Sequence, residues 1–492
     1  MKFLLLAIFL LLKTPAVAQT IDWAKVHSTT AAAIDDLYNL RYAEAEAGCN
    51  DVIKQAPGEP RGYFYKAMVY YTRFSNAGDD ADYKAFLKTS QQVEQVCAKL
   101  LKNNGKDSRA MFYMGGILGY RGLLHYKAEK HLDAVSDGKK AVGFLEDALE
   151  ADSSNADAKM GLGLFQYLIS QAPPFLKPAL SLAGLSGDRA KGLRQLEFAA
   201  ANGIYSKPEA RAWLASFYQS EENFPRAQSH LSALVTQFPK NGWFRLQLAQ
   251  LLLFQMRKSD EAIMQGQKIL LIINEIPQPE RAKLNVQANF GLGVAHFFKN
   301  NYAESSEFLK KVIVDNSNVN LVREANIQLG MMLEISGNRV GAVNYYQKAA
   351  ERDDVKKLLK KPMTSGDIAV VKADNFFRAG DYDEAISSTN EPLKSNFPDN
   401  IKARLEYIAG RAFFEKGSFA EAEKRFLKAT VLKPEDDVWV TPFSYYRLGL
   451  AQVKSGNKEA ALSSFEKAAS FKDFEQEEYL QKQVKREISR IK

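Results

Sequence analysis

Four side chains in one predicted helix have types and a spacing that suit the binding of carboxylates. Arg404, Tyr407, Arg411 and Phe414 follow one another at intervals of three or four residues, which places them on one stripe of an α-helix. Guanidinium groups donate paired hydrogen bonds to carboxylates, and neighbouring aromatic rings offer apolar contact. Together with Tyr446 on a later helix, this stripe predicts a surface that binds an extended peptide or a helix carrying acidic side chains. We expect the charges of both arginines to be solvated in the free protein, so that replacing them changes the stability of the fold little.

No group of residues predicts catalysis or metal binding. None of the five histidines has a second histidine or a cysteine at metal-ligand spacing. Nucleophile and phosphate-loop motifs are also missing from the sequence, and the carboxylates are scattered along predicted solvated faces. We therefore predict that the protein is not an enzyme and needs no cofactor or metal. The histidines are His27, His125, His131, His230 and His296.

The candidate residues lie within a recurring pattern that predicts pairs of helices. A small residue is followed four positions later by a bulky apolar one and then by another small or apolar one, as in Ala422, Phe426 and Ala429. The small residue lets two helices approach closely, and the bulky residue fills the groove beside it. The opening residues of the pattern are Ala45, Val93, Ala141, Gly192, Ala227, Ala262, Ser305, Ala342, Ala385, Ala422 and Ala461.

These features resemble the tetratricopeptide repeat (TPR) superfamily, in the form of an exported bacterial protein. A Leu-Gly pair, such as Leu329-Gly330 or Leu448-Gly449, precedes the pattern, and Pro434 supplies a closing proline. The resemblance implies an all-α fold, a right-handed α-solenoid of about eleven antiparallel helix pairs. Such an array is a binding surface rather than a reaction vessel, and its first helices line a groove.

Further groove positions follow from the same resemblance. They flank the Leu-Gly pairs by about one helical turn, and several are aromatic. Some of these aromatic side chains could instead pack beneath the next repeat, so both alternatives stay open. The positions are Phe290, Val294, Phe297, Ile327, Met331, Val370, Phe377, Phe443 and Leu450.

The spacing of the pattern predicts four segments. Residues 1–18 form a signal peptide, and 19–202 form a region of long repeats of about 48 residues. Residues 203–472 form an array closer to the roughly 34-residue TPR period, and 473–492 form a capping helix. An apolar insertion near 172–187 separates the two helices of one pair. Its surroundings resemble the tetratricopeptide repeat protein 39 family at Gly161, Pro173, Pro174, Gly184, Ser186, Gly187, Asp188, Arg189, Gly192 and Leu193.

The insertion has two interpretations. It either folds onto its own repeat, burying Phe175, Leu180, Leu182 and Leu185, or it contacts a partner or a membrane surface. The basic C-terminal helix also leaves open a peripheral membrane contact.

The N-terminus predicts export to the periplasm or cell envelope, or secretion. Lys2 precedes ten apolar residues, and Ala16-Val17-Ala18 is a small-x-small cleavage site. No later stretch is apolar enough to predict a membrane span. The net charge of +8 is dispersed over 492 residues, which argues against nucleic-acid binding.

The two cysteines occupy bulky positions of successive repeats. Cys49 and Cys97 should therefore lie about 8–10 Å or more apart, too far for a disulfide. We predict free thiols, although an oxidising compartment would permit a bridge.

These observations predict an exported, non-enzymatic TPR scaffold that binds a protein or peptide partner in the cell envelope. The alternative is a carbohydrate- or lipid-handling envelope protein on a helical array. That alternative requires a pocket in which two facing carboxylates lie beside Trp213, Trp243 or Trp439.

Overall fold

The structure, a computed structural model, describes residues 21–491 and contains α-helices joined by turns, with no strand in that range. The predicted signal peptide, residues 1–18, lies outside the described residues. The chain divides into two compact units, Met1–Ala210 and Arg211–Lys492. The repeat spacing predicts a boundary at residue 202, and the division lies eight residues later. The loop after residue 202 belongs to the first unit because Ile204 and Ser206 donate hydrogen bonds to Asp157.

The first unit contains nine helices among its described residues, and a tenth helix crosses the division. They are α1 (Trp23–Tyr38), α2 (Tyr42–Gln55), α3 (Pro60–Ala77), α4 (Asp80–Asn103), α5 (Ser108–Lys127), α6 (His131–Ala151), α7 (Ala156–Ser170), α8 (Lys177–Leu182), α9 (Arg189–Asn202) and the crossing helix α10 (Lys207–Ser220).

The second unit continues the alternation of first and second helices as far as residue 491. Its helices are α11 (Phe224–Gln237), α12 (Gly242–Gln250), α13 (Ser259–Ile272), α14 (Glu280–Phe298), α15 (Tyr302–Asp315), α16 (Val319–Ile335), α17 (Arg339–Tyr346), α18 (Asp353–Lys360), α19 (Ser365–Ala379), α20 (Tyr382–Lys394), α21 (Asp399–Glu415), α22 (Phe419–Val431), α23 (Val440–Lys454), α24 (Lys458–Ala469) and α25 (Glu477–Ile491). A π-helical turn, Leu251–Gln255, extends α12.

The predicted all-α solenoid of helix pairs is confirmed. All eleven opening residues of the pattern lie in second helices and are buried. The close approach within a pair is clearest between α21 and α22, where a Cβ added to Gly410 would lie 2.7 Å from Cδ1 of Phe426. The same substitution at Gly449 would place a Cβ 2.6 Å from Cε1 of Phe465. Glycine in the first helix therefore makes room for the bulky ring of the second.

The apolar insertion does not bury its apolar residues in the way one interpretation predicts. It forms the short helix α8, and Phe175 and Leu182 remain 64% and 91% exposed. Leu176 is buried, while Leu180 and Leu185 are half-buried beside α5, α6 and α7. Only part of the insertion therefore folds onto its own repeat. Among residues 21–491, no helix combines the length and apolar character that a membrane span requires.

The last helix, α25, covers the end of the array. Leu480 and Val484 pack into a cluster with Phe465 and Tyr446. This contact shields the apolar face of the final pair, as expected for a capping helix.

Both cysteines are free and buried, and burial raises the pKa of the Cys49 and Cys97 thiols to about 12. At pH 8 the thiolate fraction is then on the order of one in ten thousand. We expect iodoacetamide to label neither cysteine in the native protein and to label both after denaturation without reductant. Mass spectrometry of the alkylated protein checks this. Loss of both labels under denaturing conditions would reveal a disulfide.

Candidate functional site

In the second unit, ion pairs join helix pairs that are not neighbours in sequence. The Arg257 guanidinium pairs with Glu415 at 3.1 Å, and Lys299 pairs with Asp381 at 3.1 Å. Gly380 permits this approach because its φ is +89° and a side chain there would collide with the carbonyl oxygen of Arg257. Turns of the earlier pairs thus meet the ends of α19 and α21.

The same unit contains a recess lined by α14, α16, α19 and α21. Its volume is about 520 Å³, and it is partly open to solvent. Phe290, Phe298 and Met331 provide apolar walls, and Arg378 and Arg404 line the same recess. Phe290 and Met331 are among the groove positions that the sequence predicts. An adjoining recess of about 150 Å³ adds residues of α21 and the ring of Trp439.

Both predicted arginines line these recesses, but neither is fully solvated. Arg404 lies 3.4 Å from Asp437, and its side chain is 30% exposed. Arg411 lies 3.5 Å from Asp374 and is 22% exposed. Its guanidinium carbon sits 3.8 Å from the centre of the Phe377 ring, a cation–π geometry. Burial lowers the pKa of Arg411, while Tyr407 and Asp374 oppose that shift. The expectation of solvated charges is therefore wrong for this arginine.

The predicted aromatic residues contribute more to packing than to the exposed groove. Tyr407 is 5% exposed and lies against Phe426 and Trp439, although its ring still lines the smaller recess. Tyr446 is 7% exposed, because α24 and α25 cover it. Phe414 is half-buried beside Phe419. The open alternative, in which aromatics pack beneath the next repeat, is thus realised at Tyr407 and Tyr446.

The structure adds three arginines that sequence reasoning missed. Arg378 lines both recesses, and Arg257 and Arg447 lie close enough to Arg411 to lower its pKa. A local signal existed only for Arg378, which lies one turn after Asp374 on a first helix. Arg257 sits in a turn of a distant pair, so no local pattern could place it here. Asp374, Glu415 and Asp437 neighbour these five arginines. A sixth arginine, Arg352, lines the larger recess and pairs there with Glu324 and Asp354.

The arrangement suits anion binding better than acid–base chemistry. Asp374 is shared by two guanidinium groups, those of Arg378 at 2.5 Å and Arg411 at 3.5 Å. The carboxylate beside Trp439 is Asp437, which accepts a hydrogen bond from the indole at 3.3 Å and pairs with Arg404. No cluster that could hold a metal ion occurs among the described residues.

Comparison with protein families assigns the chain in three parts. Residues 83–320 match the family described as Iml2/Tetratricopeptide repeat protein 39. Residues 370–437 and 444–473 match two families described as Tetratricopeptide repeat. No curated protein matches the sequence.

Three solved structures illustrate the similarity. A tetratricopeptide repeat protein from Parabacteroides merdae is 15% identical, with a TM-score of 0.26, and the match covers 56% of this chain and 98% of that one. The TPR domain of P58(IPK) is 13% identical over 88% of this chain and 99% of its own, with a TM-score of 0.22. The quorum sensor NprR from B. thuringiensis is 14% identical over 57% and 80%, with a TM-score of 0.25.

The family matches agree with the helix pairs and with the close Gly–aromatic contacts described above. Tetratricopeptide repeats bind protein partners and generally act as non-catalytic scaffolds. The chain belongs to the tetratricopeptide repeat superfamily.

Proposed function

We propose that this protein is an exported TPR scaffold whose second unit binds an acidic segment of a protein partner in the cell envelope. The observation that carries the proposal is the cluster of Arg257, Arg378, Arg404, Arg411 and Arg447 on the inner surface of the unit. The sequence of residues 1–18 supports export.

The arginine cluster retains capacity to bind a further carboxylate. Arg378 and Arg411 share Asp374, so one carboxylate faces ten potential N–H donors, since each guanidinium carries five. The contact between Arg404 and Asp437 is 3.4 Å long, at the weak end of hydrogen-bond distances. At Arg404, an incoming carboxylate can therefore form charge-assisted hydrogen bonds without first displacing a strong internal pair.

The apolar part of the recess supports a peptide rather than a small anion. Phe290, Phe298 and Met331 are half-buried and line the space next to Arg378 and Arg404. Apolar side chains of a partner can bury surface there, while its acidic side chains reach the arginines. Central apolar anchors with charged neighbours are typical of peptide-binding grooves.

Replacing Arg404 or Arg411 with alanine is expected to weaken binding of the partner by about 1–3 kcal/mol each, because charge-assisted hydrogen bonds are lost. Calorimetry at several salt concentrations measures the affinity and its salt dependence. Lys428→Ala is the matched control, since it removes a positive charge from an exposed position on α22. Unchanged affinity in the Arg404→Ala/Arg411→Ala double variant would place the binding site elsewhere.

Arg404 is the cleaner probe of the two. Arg411 stacks on Phe377 and is largely covered, so its removal is also expected to lower the melting temperature. Arg411→Lys keeps the charge but loses the planar stacking. A charge-only role predicts that this variant binds nearly normally, whereas a loss equal to that of Arg411→Ala indicates a packing role.

The partner itself is sought by capture from an envelope extract with the purified protein as bait. We expect retention of a protein at physiological salt and its loss with the double arginine variant. Retention by both proteins alike, or turnover of a glycan or lipid, would contradict the proposal and favour the alternative function.

A further inference from the structure

The first unit closes on itself through contacts between its first helix and the loop that precedes α10. The hydroxyl of Tyr205 and Nδ1 of His27 share a hydrogen bond of 2.5 Å. Arg61 donates to the same hydroxyl at 3.2 Å. The Tyr205 ring also lies edge-on to Tyr65, with 5.7 Å between ring centres. The first helices α1, α3, α5 and α7 therefore surround an internal chamber, and Tyr205 closes one side of it.

The chamber is a narrow cavity of about 50 Å³ that is partly open to solvent. Its walls are aromatic, and seven rings line it. Two carboxylates also line it, whereas no lysine or arginine does so among the described residues. The aromatic residues are Tyr38, Phe64, Tyr65, Phe112, Tyr120, Phe165 and Tyr205.

One polar group in the chamber wall has no partner. Tyr120 is 5% exposed, and its hydroxyl is shielded from solvent without a hydrogen-bond partner among residues 21–491. Buried hydroxyl groups in folded proteins are nearly always hydrogen-bonded to protein, water or ligand. The Tyr120 hydroxyl therefore calls for an acceptor that enters from the chamber.

The two carboxylates make the chamber unfavourable for anions. Asp157 is occupied by the loop that carries Tyr205, because it accepts hydrogen bonds from the backbone and side chain of Ser206. Glu209 lies near the rings of Tyr38 and Tyr65. Burial raises the pKa of both phenols, and the charge of Glu209 raises them further. These rings are therefore neutral, and each presents an electron-rich face.

We propose that the chamber of the first unit binds a small organic cation, an alkylammonium compound with an apolar surface and one hydrogen-bond acceptor. Faces of Tyr38 and Tyr65 provide cation–π contacts, and the charge of Glu209 adds to that attraction. The Tyr205 ring is already in contact with a cation, since the guanidinium carbon of Arg61 lies 5.4 Å from its centre. The acceptor of the ligand receives the hydrogen bond of Tyr120. This site is separate from the arginine-lined recess of the second unit.

The test compares two probes of the same shape. Choline carries a quaternary ammonium group and a hydroxyl, and 3,3-dimethylbutan-1-ol is its uncharged counterpart. Titration calorimetry with the full protein is expected to show choline binding at least about tenfold more tightly than the neutral alcohol. Equal affinity for the two probes would show that the chamber binds apolar surface without recognising the positive charge. If neither probe binds, the chamber is not a site for ligands of this shape. Both results overturn the proposal.

Variants locate the site and separate it from folding. Glu209→Gln is expected to weaken choline binding by about tenfold and to leave binding of the alcohol unchanged. Glu150→Gln, which removes the same charge from an exposed position on α6, is expected to change neither. Tyr65→Phe keeps the ring and should retain choline binding, whereas Tyr65→Leu should lose it. Loss in both Tyr65 variants, with melting temperatures unchanged, would contradict a cation–π contact.

Discussion

Asp157→Ala is expected to lower the free energy of unfolding by about 3–5 kcal/mol. Asp157 is 7% exposed and accepts hydrogen bonds from the backbone N–H groups of Ile204 at 2.9 Å and Ser206 at 3.2 Å. It also accepts from the N–H of Tyr205 at 3.3 Å and from the Ser206 hydroxyl at 2.6 Å. Alanine leaves several of these donors buried without an acceptor, which costs more than the loss of an exposed bond.

Chemical denaturation followed by circular dichroism measures this effect. Asp157→Asn is expected to lose less stability than Asp157→Ala, because the amide oxygen still accepts hydrogen bonds. Some loss remains, since the amide N–H₂ group then faces backbone N–H donors. Asp147→Ala serves as the control, since it removes a carboxylate from an exposed position on α6. A loss below about 1 kcal/mol for Asp157→Ala, the range of surface substitutions, would show that the loop is held by its other contacts.

Phe426→Ala is also expected to cost about 3–5 kcal/mol of stability. The Phe426 ring is fully buried on α22, lies against Gly410 of α21 and packs in a cluster with Leu448 of α23. Its removal leaves a cavity between three helices, and helix backbones of neighbouring pairs cannot collapse fully into it. Because each pair contacts its neighbours, part of the loss spreads along the array.

The neighbouring residue provides the control for this substitution. Leu427 is 49% exposed on the same helix. Leucine and alanine have similar helix propensities, so Leu427→Ala is expected to lower the free energy of unfolding only slightly. Denaturant titration of both variants compares them directly. A similar small loss in the two would mean that the α21–α22 contact is loosely packed and that the repeat pattern overstates its importance.

The sequence predicted the helix pairs because the signal for them is local. The spacing of Ala422, Phe426 and Ala429 reflects the geometry of one helix turn and the close contact with a glycine in the preceding helix. The same reasoning placed both cysteines in buried positions. It left two interpretations of the insertion open, because composition alone does not say whether a loop folds onto a neighbouring surface. In the structure Leu182 is apolar but exposed.

The candidate site was predicted only in part. Arg404 and Arg411 share a helix stripe, so their common orientation followed from spacing, and both line the recesses. Tyr407 and Tyr446 satisfy the same spacing but are covered by later helices, since burial of a first-helix residue depends on how far the next pair is rotated. Arg257 joins the cluster from a distant turn.

Local periodicity by itself determined that this chain is an array of helix pairs, where the small and bulky residues lie, and which stripe carries the two arginines. Tertiary structure decided where the array closes on itself. His27 meets Tyr205 across 178 residues, and Arg257 meets Glu415 across 158. Such contacts depend on the accumulated small rotation of each pair against the next. No local sequence pattern predicts this accumulated rotation, so the recess and the chamber could be identified only from the tertiary structure.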